Sequence, residues 1–208
     1  MKPKEGRIKE LLRERGLDGA IVSSPENFHY VTGFGGHQHT VSRQPGFTLA
    51  VMRSDDKAPT HITTMDFEAA TFRIKSAGLG FVVDPYDTWV GLKTWPEISQ
   101  GAVLPDKTRM ESSADKLEQF VKACDLADKR IGVEMDYLTV PYYNMICEKF
   151  PEAQLVDISD LFVYARSIKT EEEIKMFREL CRIADHGFTQ VSRMAGIGVS
   201  EKGVSDCF

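Results

Sequence analysis

At 208 residues the chain has room for one large or two small domains, and an apolar fraction of 42% is enough for a real core. A formal net charge of −5 without any basic block argues against nucleic acid or an anionic membrane as a partner. No apolar run approaches the roughly twenty residues of a membrane span. Residues 1–10 are charged and lack the apolar stretch of a secretory signal, so the expectation is a cytoplasmic protein.

In chain order, Ile8, Leu11 and Leu12 mark a short amphipathic helix that Gly16 can end. Residues 20–22, Ala-Ile-Val, read as a buried strand. Ser24 followed by Pro25 is a helix start, with Ser24 as cap and Pro25 in the first turn. That helix must be brief, because Thr32-Gly33-Phe34-Gly35-Gly36 breaks it. Strands are expected at 47–52 and 61–64 around the polar turn 53–57, then a helix at 67–74 and a strand at 80–83. Residues 84–105 read as irregular and hold Trp89 and Trp95, suited either to a subunit interface or to the domain's own core.

The second half is more regular. A Ser112-x-x-Asp115 start leads into a helix with Leu117, Phe120, Val121 and Cys124 on one face. Residues 131–134 form a strand. Thr139 and Pro141 open a helix lined by Tyr143, Ile146, Cys147 and Phe150, and 153–158 is a last strand. Alternating strands and helices predict an α/β domain whose mixed, largely parallel sheet is covered by helices on both faces. The expected boundaries are residues 1–158 for this domain, a linker at 159–167, and at 168–208 the opening of a second, helical domain whose remainder lies beyond Phe208. There Thr170 and Glu173 form a capping box. Ile174, Phe177, Cys181, Ala184, Phe188 and Val191 then make an apolar stripe in search of a cover.

Three patterns in order resemble the creatinase/prolidase/aminopeptidase P family of "pita-bread" metallohydrolases. They are Asn27-Phe28-His29-Tyr30-Val31-Thr32-Gly33-Phe34, Arg166-x-x-Lys169-Thr170-x-x-Glu173-Ile174, and Gly198-Val199-Ser200-Glu201. The resemblance covers the whole chain, as an N-terminal domain of creatinase type (ribonuclease H-like) plus the first helices of a truncated pita-bread catalytic domain. It implies a hydrolase and metallopeptidase, with Xaa-Pro dipeptidase or aminopeptidase P as the first reading, a homodimer, and a peptide or small amide substrate. It also implies two divalent metal ions, Mn, Co or Zn, in the full-length enzyme. Their ligands, two Asp, one His and two Glu, fall downstream of the third pattern. No cofactor and no catalytic or metal residue is therefore assigned to this chain, which alone should be inactive. The other readings are a non-catalytic binding or dimerisation module, or the same domain of a creatinase- or ectoine-hydrolase-like enzyme.

His37-Gln38-His39 could place two imidazoles on one side of an extended segment, but no third metal ligand is signalled. In the family this loop reaches the neighbouring subunit's cleft, which would bring His37, His39 and Arg43 to the substrate in trans. A guanidinium at Arg43 suits a substrate carboxylate. The plain alternative is a solvated, mobile Gly-rich loop. Gly33-Phe34-Gly35-Gly36 lacks the Gly-Lys-Ser/Thr ending of a phosphate loop. Cys124, Cys147 and Cys181 fall on apolar helix faces as small core residues, and the four cysteines, Cys207 included, form no close pair. Asp66 and Glu68 read as a solvated first helical turn.

Overall fold

The computed structural model describes residues 3–88, 94–101 and 111–206. Its chain forms two compact units, residues 1–165 and 166–208.

The first unit is built on a six-stranded sheet. Its strands are β1 (Gly19–Val22), β2 (Leu49–Arg53), β3 (His61–Thr63), β4 (Val82–Val83), β5 (Arg130–Val133) and β6 (Gln154–Asp157), in the order β4-β3-β2-β1-β5-β6. β1 pairs with β5, β5 with β6 and β3 with β4 in parallel; β2 is antiparallel to both β1 and β3. Every strand except β2 therefore runs the same way, which is the mixed, mostly parallel sheet expected. Gly19 sits where β1 meets β2 closely: a Cβ there would come 2.5 Å from the Met52 carbonyl oxygen.

Side chains alternate across the pleat. Ala20, Val22, Ala50, Met52 and Ile62 face one core, Ile21, Leu49, Val51, Ile131 and Val133 the other. Over the first face lie α1 (Glu5–Glu14), α2 (Pro25–Thr32), α4 (Ala69–Ser76) and α8 (Ser159–Ser167), through Ile8, Leu12, Phe28, Val31, Phe72, Leu161 and Phe162. Over the second lie α6 (Ser113–Ala123) and α7 (Val140–Lys149), through Leu117, Phe120, Val121, Ile146 and Phe150.

The local signals work as their chemistry requires. Gly16, at φ +64°, follows the end of α1. The Ser24 hydroxyl accepts from the Asn27 N–H, and Ser112 and Asp115 close a reciprocal capping box on α6. Three segments differ from expectation, the first being residues 95–99, which lie in the stretch expected as irregular and form a short helix. Residues 159–167, expected as a linker, are the helix α8: Leu161, Phe162 and Ala165 are fully buried, and their spacing is that of one helical face. Residues 37–42, expected as part of an extended or mobile loop, form α3 (His37–Ser42), in which the Thr40 and Ser42 hydroxyls bond back to the carbonyls of Gly36 and Gln38. Trp95 is 77% exposed at the start of α5 (Trp95–Ser99) and so is not core; Trp89 lies outside the described residues. Of the cysteines, Cys124 is buried, Cys147 half-buried and Cys181 exposed, so only the first is the core residue expected; Cys207 lies outside the described residues.

The second unit contains α9 (Glu171–Met194) and α10 (Glu201–Ser205). Thr170 and Glu173 cap α9 reciprocally, and the Ser200 hydroxyl caps α10 by accepting from the Gly203 N–H. Of the apolar stripe on α9, Phe177 and Phe188 are more than half exposed, as are Met176, Leu180 and Ile183 beside it.

Candidate functional site

Because five of the six strands point the same way, the carboxyl ends of β1, β3 and β5 meet on one edge of the sheet. In α/β proteins this is the edge that carries functional loops. The loop after β1 is short and turns directly into α2, so the backbone amides of Ser23 and Ser24 and the amide side chain of Asn27 converge at the helix N-terminus.

A helix N-terminus attracts anions. Here the anion comes from the chain itself. Glu134, directly after β5, has no solvent exposure and accepts from the Ser23 N–H, the Ser24 N–H at 2.9 Å, the Ser24 hydroxyl, the Asn27 amide at 2.6 Å and the Ser23 hydroxyl at 3.3 Å. Five donors on two oxygens saturate the carboxylate. These donors are therefore taken up by the chain's own carboxylate.

The residues that end α2 hold it in place. Thr32 is buried; its hydroxyl lies 2.8 Å from the Phe28 carbonyl and 2.7 Å from that of Phe34, and accepts the Phe34 N–H at 3.3 Å. Gly33 takes the left-handed conformation, φ 81°, that ends the helix. Phe34 then packs edge-on against Phe28 and Phe72, with ring centroids 6.2 and 5.5 Å apart. The Tyr30 hydroxyl donates to the Ala165 carbonyl at 3.0 Å, which ties α2 to α8. Asn27, Phe28, Tyr30, Thr32, Gly33 and Phe34 of this pattern thus each have a structural task, while His29 is exposed.

The three residues expected to meet substrate are not alike. His39 is 1% exposed; its Nε2 lies 2.8 Å from the Ser23 carbonyl oxygen, and its ring stands edge-on to Phe28 at 5.3 Å. Burial lowers its pKa, outweighing the Ser23 bond and the nearby carboxylates of Glu68 and Glu26. His37 is exposed. On α3 these two imidazoles are two positions apart and diverge, so they cannot share a metal ion as an extended segment would allow. Arg43 is exposed, adopts a left-handed conformation (φ 50°) just past α3, and pairs through both terminal nitrogens with the two oxygens of Glu26. The Glu26 carboxylate raises its pKa.

Asp66 and Glu68 are half-buried rather than solvated. Asp66 accepts from the Thr88 hydroxyl at 2.5 Å, and Glu68 accepts the Gln38 N–H at 3.0 Å, which fixes the start of α3. Among the described residues no group of three His, Cys, Asp or Glu side chains is placed to hold a metal ion.

Glu134 and Tyr137 are the members of this edge that sequence reasoning missed. Tyr137 is half-buried, with Arg43, Glu134 and Glu26 close enough to act on it electrostatically; burial is the main cause of a phenol pKa pushed up to about 12. An acid directly after the apolar run Ile131-Gly132-Val133, facing a strand that leads into a capped helix, was the available signal for Glu134.

A model of the creatinase/prolidase N-terminal domain matches residues 6–168. An uncharacterized peptidase of Bacillus subtilis (strain 168), YqhT, is 27% identical over 201 residues, 96% of this chain and 46% of its own length. The Xaa-Pro dipeptidase of Lactobacillus delbrueckii subsp. lactis is 24% identical over 199 residues, 95% of this chain and 46% of that protein. The solved Xaa-Pro dipeptidase from Bacillus anthracis superimposes with a TM-score of 0.66 at 21% identity, covering 97% of this chain and 45% of that one, a likeness of fold. The chain spans about half the length of the curated relatives it matches.

Proposed function

This chain belongs to the creatinase/prolidase N-terminal domain family, and from that premise we propose that it is the N-terminal portion of a hydrolase acting on Xaa-Pro peptides. The observation that carries this is coverage: relatives named as peptidases align with nearly all of this chain and use about half of their own length to do so. The domain boundary belongs after α8, since Leu161, Phe162 and Ala165 are core residues of the first unit. Residues from 168 onward open the catalytic half.

In this reading the metal ions of the enzyme belong to that catalytic half. The present residues bind, orient and enclose. Arg43 is the one suited to a substrate carboxylate: it stands exposed on the sheet's functional edge, and its partner is a solvent-facing carboxylate that a substrate can replace. His37 lines the same approach. His39 holds α3 from inside and does not touch substrate. The working enzyme is a cytoplasmic homodimer in which α3 of one subunit borders the other's cleft.

The test is hydrolysis of a proline dipeptide with added manganese, cobalt or zinc, by this 208-residue chain and by one extended to the length of its relatives. Turnover is expected from the extended chain only. Metal-dependent turnover by the 208 residues, clear of contaminants, would contradict the reading.

A further inference from the structure

The backbone of Ser23 is gripped on both sides of its Cα. Its N–H is bonded by the buried Glu134 carboxylate, and its carbonyl oxygen lies 2.8 Å from Nε2 of the buried His39. Only one of these anchors can let go without unfolding the sheet. Glu134 follows β5 directly, whereas His39 rides on the six-residue helix α3, which is flanked by Gly35 and Gly36 before it and by Gly46, at φ +84°, after it.

We propose that His39 is an acid-released latch: neutral, it fastens α3 to the end of β1, and protonated, it frees α3 together with Arg43. The argument is one of donors and acceptors. A carbonyl oxygen cannot donate, so Nε2 carries the hydrogen and Nδ1 carries the lone pair. Among the described residues Nδ1 has no hydrogen-bond partner, and the ring is enclosed beside Phe28. A second proton must enter at Nδ1, which creates a buried cation with a second N–H and no acceptor for it. The charged groups around the ring are Glu68 from the turn before α4, Glu26 from α2 and Arg43 from α3 itself. Both carboxylates favour the cation, but Glu68 is engaged by the Gln38 N–H and Glu26 by Arg43. Burial and Arg43 oppose it, and burial is the largest influence.

The sign follows. Released α3 exposes His39, which then takes a proton at its ordinary value near 6.5. Packed α3 resists that proton. The latch is therefore fully closed above about pH 6.5 and weakens as pH falls below it. Glu134 and β1 stay in place, so the opening is local. This inference concerns the present chain alone and stands whether or not the proposed peptidase reading holds.

Amide hydrogen exchange of the 208-residue chain at pH 7.5 and pH 5.0, corrected for the chemical exchange rate, tests it. The Thr40 and Arg43 amides, which bond to the Gly36 and His39 carbonyls, should lose protection at pH 5.0, by at most about thirtyfold, the limit set by the distance between pH 5.0 and the ordinary value near 6.5. Amides of β1 and β5 should not change. In His39→Gln, whose side-chain amide can still donate to Ser23, the pH response of α3 should vanish. Unchanged α3 protection in the wild-type chain would overturn the proposal. So would a response that persists in His39→Gln and disappears in Glu68→Gln, which would assign the switch to the carboxylate. Should His39→Gln not fold, imidazole nitrogen NMR of the wild-type chain decides: an Nε2–H tautomer titrating below the ordinary range supports the latch, and a normal titration refutes it.

Discussion

Replacing Glu134 by alanine removes the acceptor for five donors at the start of α2 while leaving them in place. The two backbone N–H groups of Ser23 and Ser24 cannot turn toward water, because both residues are buried. A buried donor without an acceptor costs about 1–3 kcal/mol, so the pair alone amounts to about 2–6 kcal/mol. The Ser23 and Ser24 hydroxyls can rotate to other acceptors, which keeps the expected loss at about 3–5 kcal/mol, near that for breaking a buried charged network. Against a total stability of about 5–15 kcal/mol this is severe. Glutamine should be far milder. Its oxygen can take the position that receives both backbone N–H groups. Its NH2 then faces Asn27, whose Oδ1 has no partner among the described residues and can turn to accept it. What remains is the lost anion at the N-terminus of α2, about 1 kcal/mol. Urea unfolding followed by circular dichroism measures both variants. A loss below 1 kcal/mol for Glu134→Ala, or a glutamine variant as unstable as the alanine one, would refute this account of the network.

Further outcomes follow from particular contacts. Gly46→Ala should destabilise by more than the usual glycine-to-alanine change, since the residue sits at φ +84° and its Cβ would fall 2.2 Å from the Tyr142 ring; thermal melts would show it, and an unchanged Tm would contradict it. Tyr30→Phe loses the bond to the Ala165 carbonyl, with an expected loss of about 0.5–1.5 kcal/mol in the same assay. Glu118 is held down at about 2 by hydrogen bonds from Lys122 and then Lys149. Its contribution is present above the ordinary carboxylate range and is lost as pH falls toward 2, so Glu118→Gln should flatten acid destabilisation in that window. Phe177 and Leu180 on α9 are more than half exposed, so the 208-residue chain should self-associate at high concentration, which Leu180→Lys should relieve in light scattering.

The helix starts at Ser24, Ser112 and Thr170 were legible because a cap is a local device: one side chain, one backbone N–H, three residues apart. The sheet was legible because apolar runs such as Ala20-Ile21-Val22 need two covered faces. Three things were not. α3 hides behind glycines, and its histidines read as an exposed pair because an extended segment was assumed. α8 was taken for a linker because Leu161-Phe162-Val163-Tyr164-Ala165 is one unbroken apolar run that displays no face, and only the burial of Leu161, Phe162 and Ala165 shows which of them belong to the core. Glu134 pairs with groups 107 to 111 positions away, a contact that no local pattern encodes. The segment expected to meet substrate was thus not legible in its packing: His39 turned inward, Arg43 outward, and the carboxylate that anchors α2 came from another strand.

The central claim is that this edge of the domain serves the substrate of an Xaa-Pro hydrolase. The most direct measurement is kcat/KM on a proline dipeptide for the chain extended to its relatives' length, comparing wild type with Arg43→Ala. The account predicts a fall of about ten- to a hundredfold, the effect of losing one charge-assisted contact, with Tm nearly unchanged because the Arg43–Glu26 pair is solvent-exposed. Equal kcat/KM for the two proteins would contradict it.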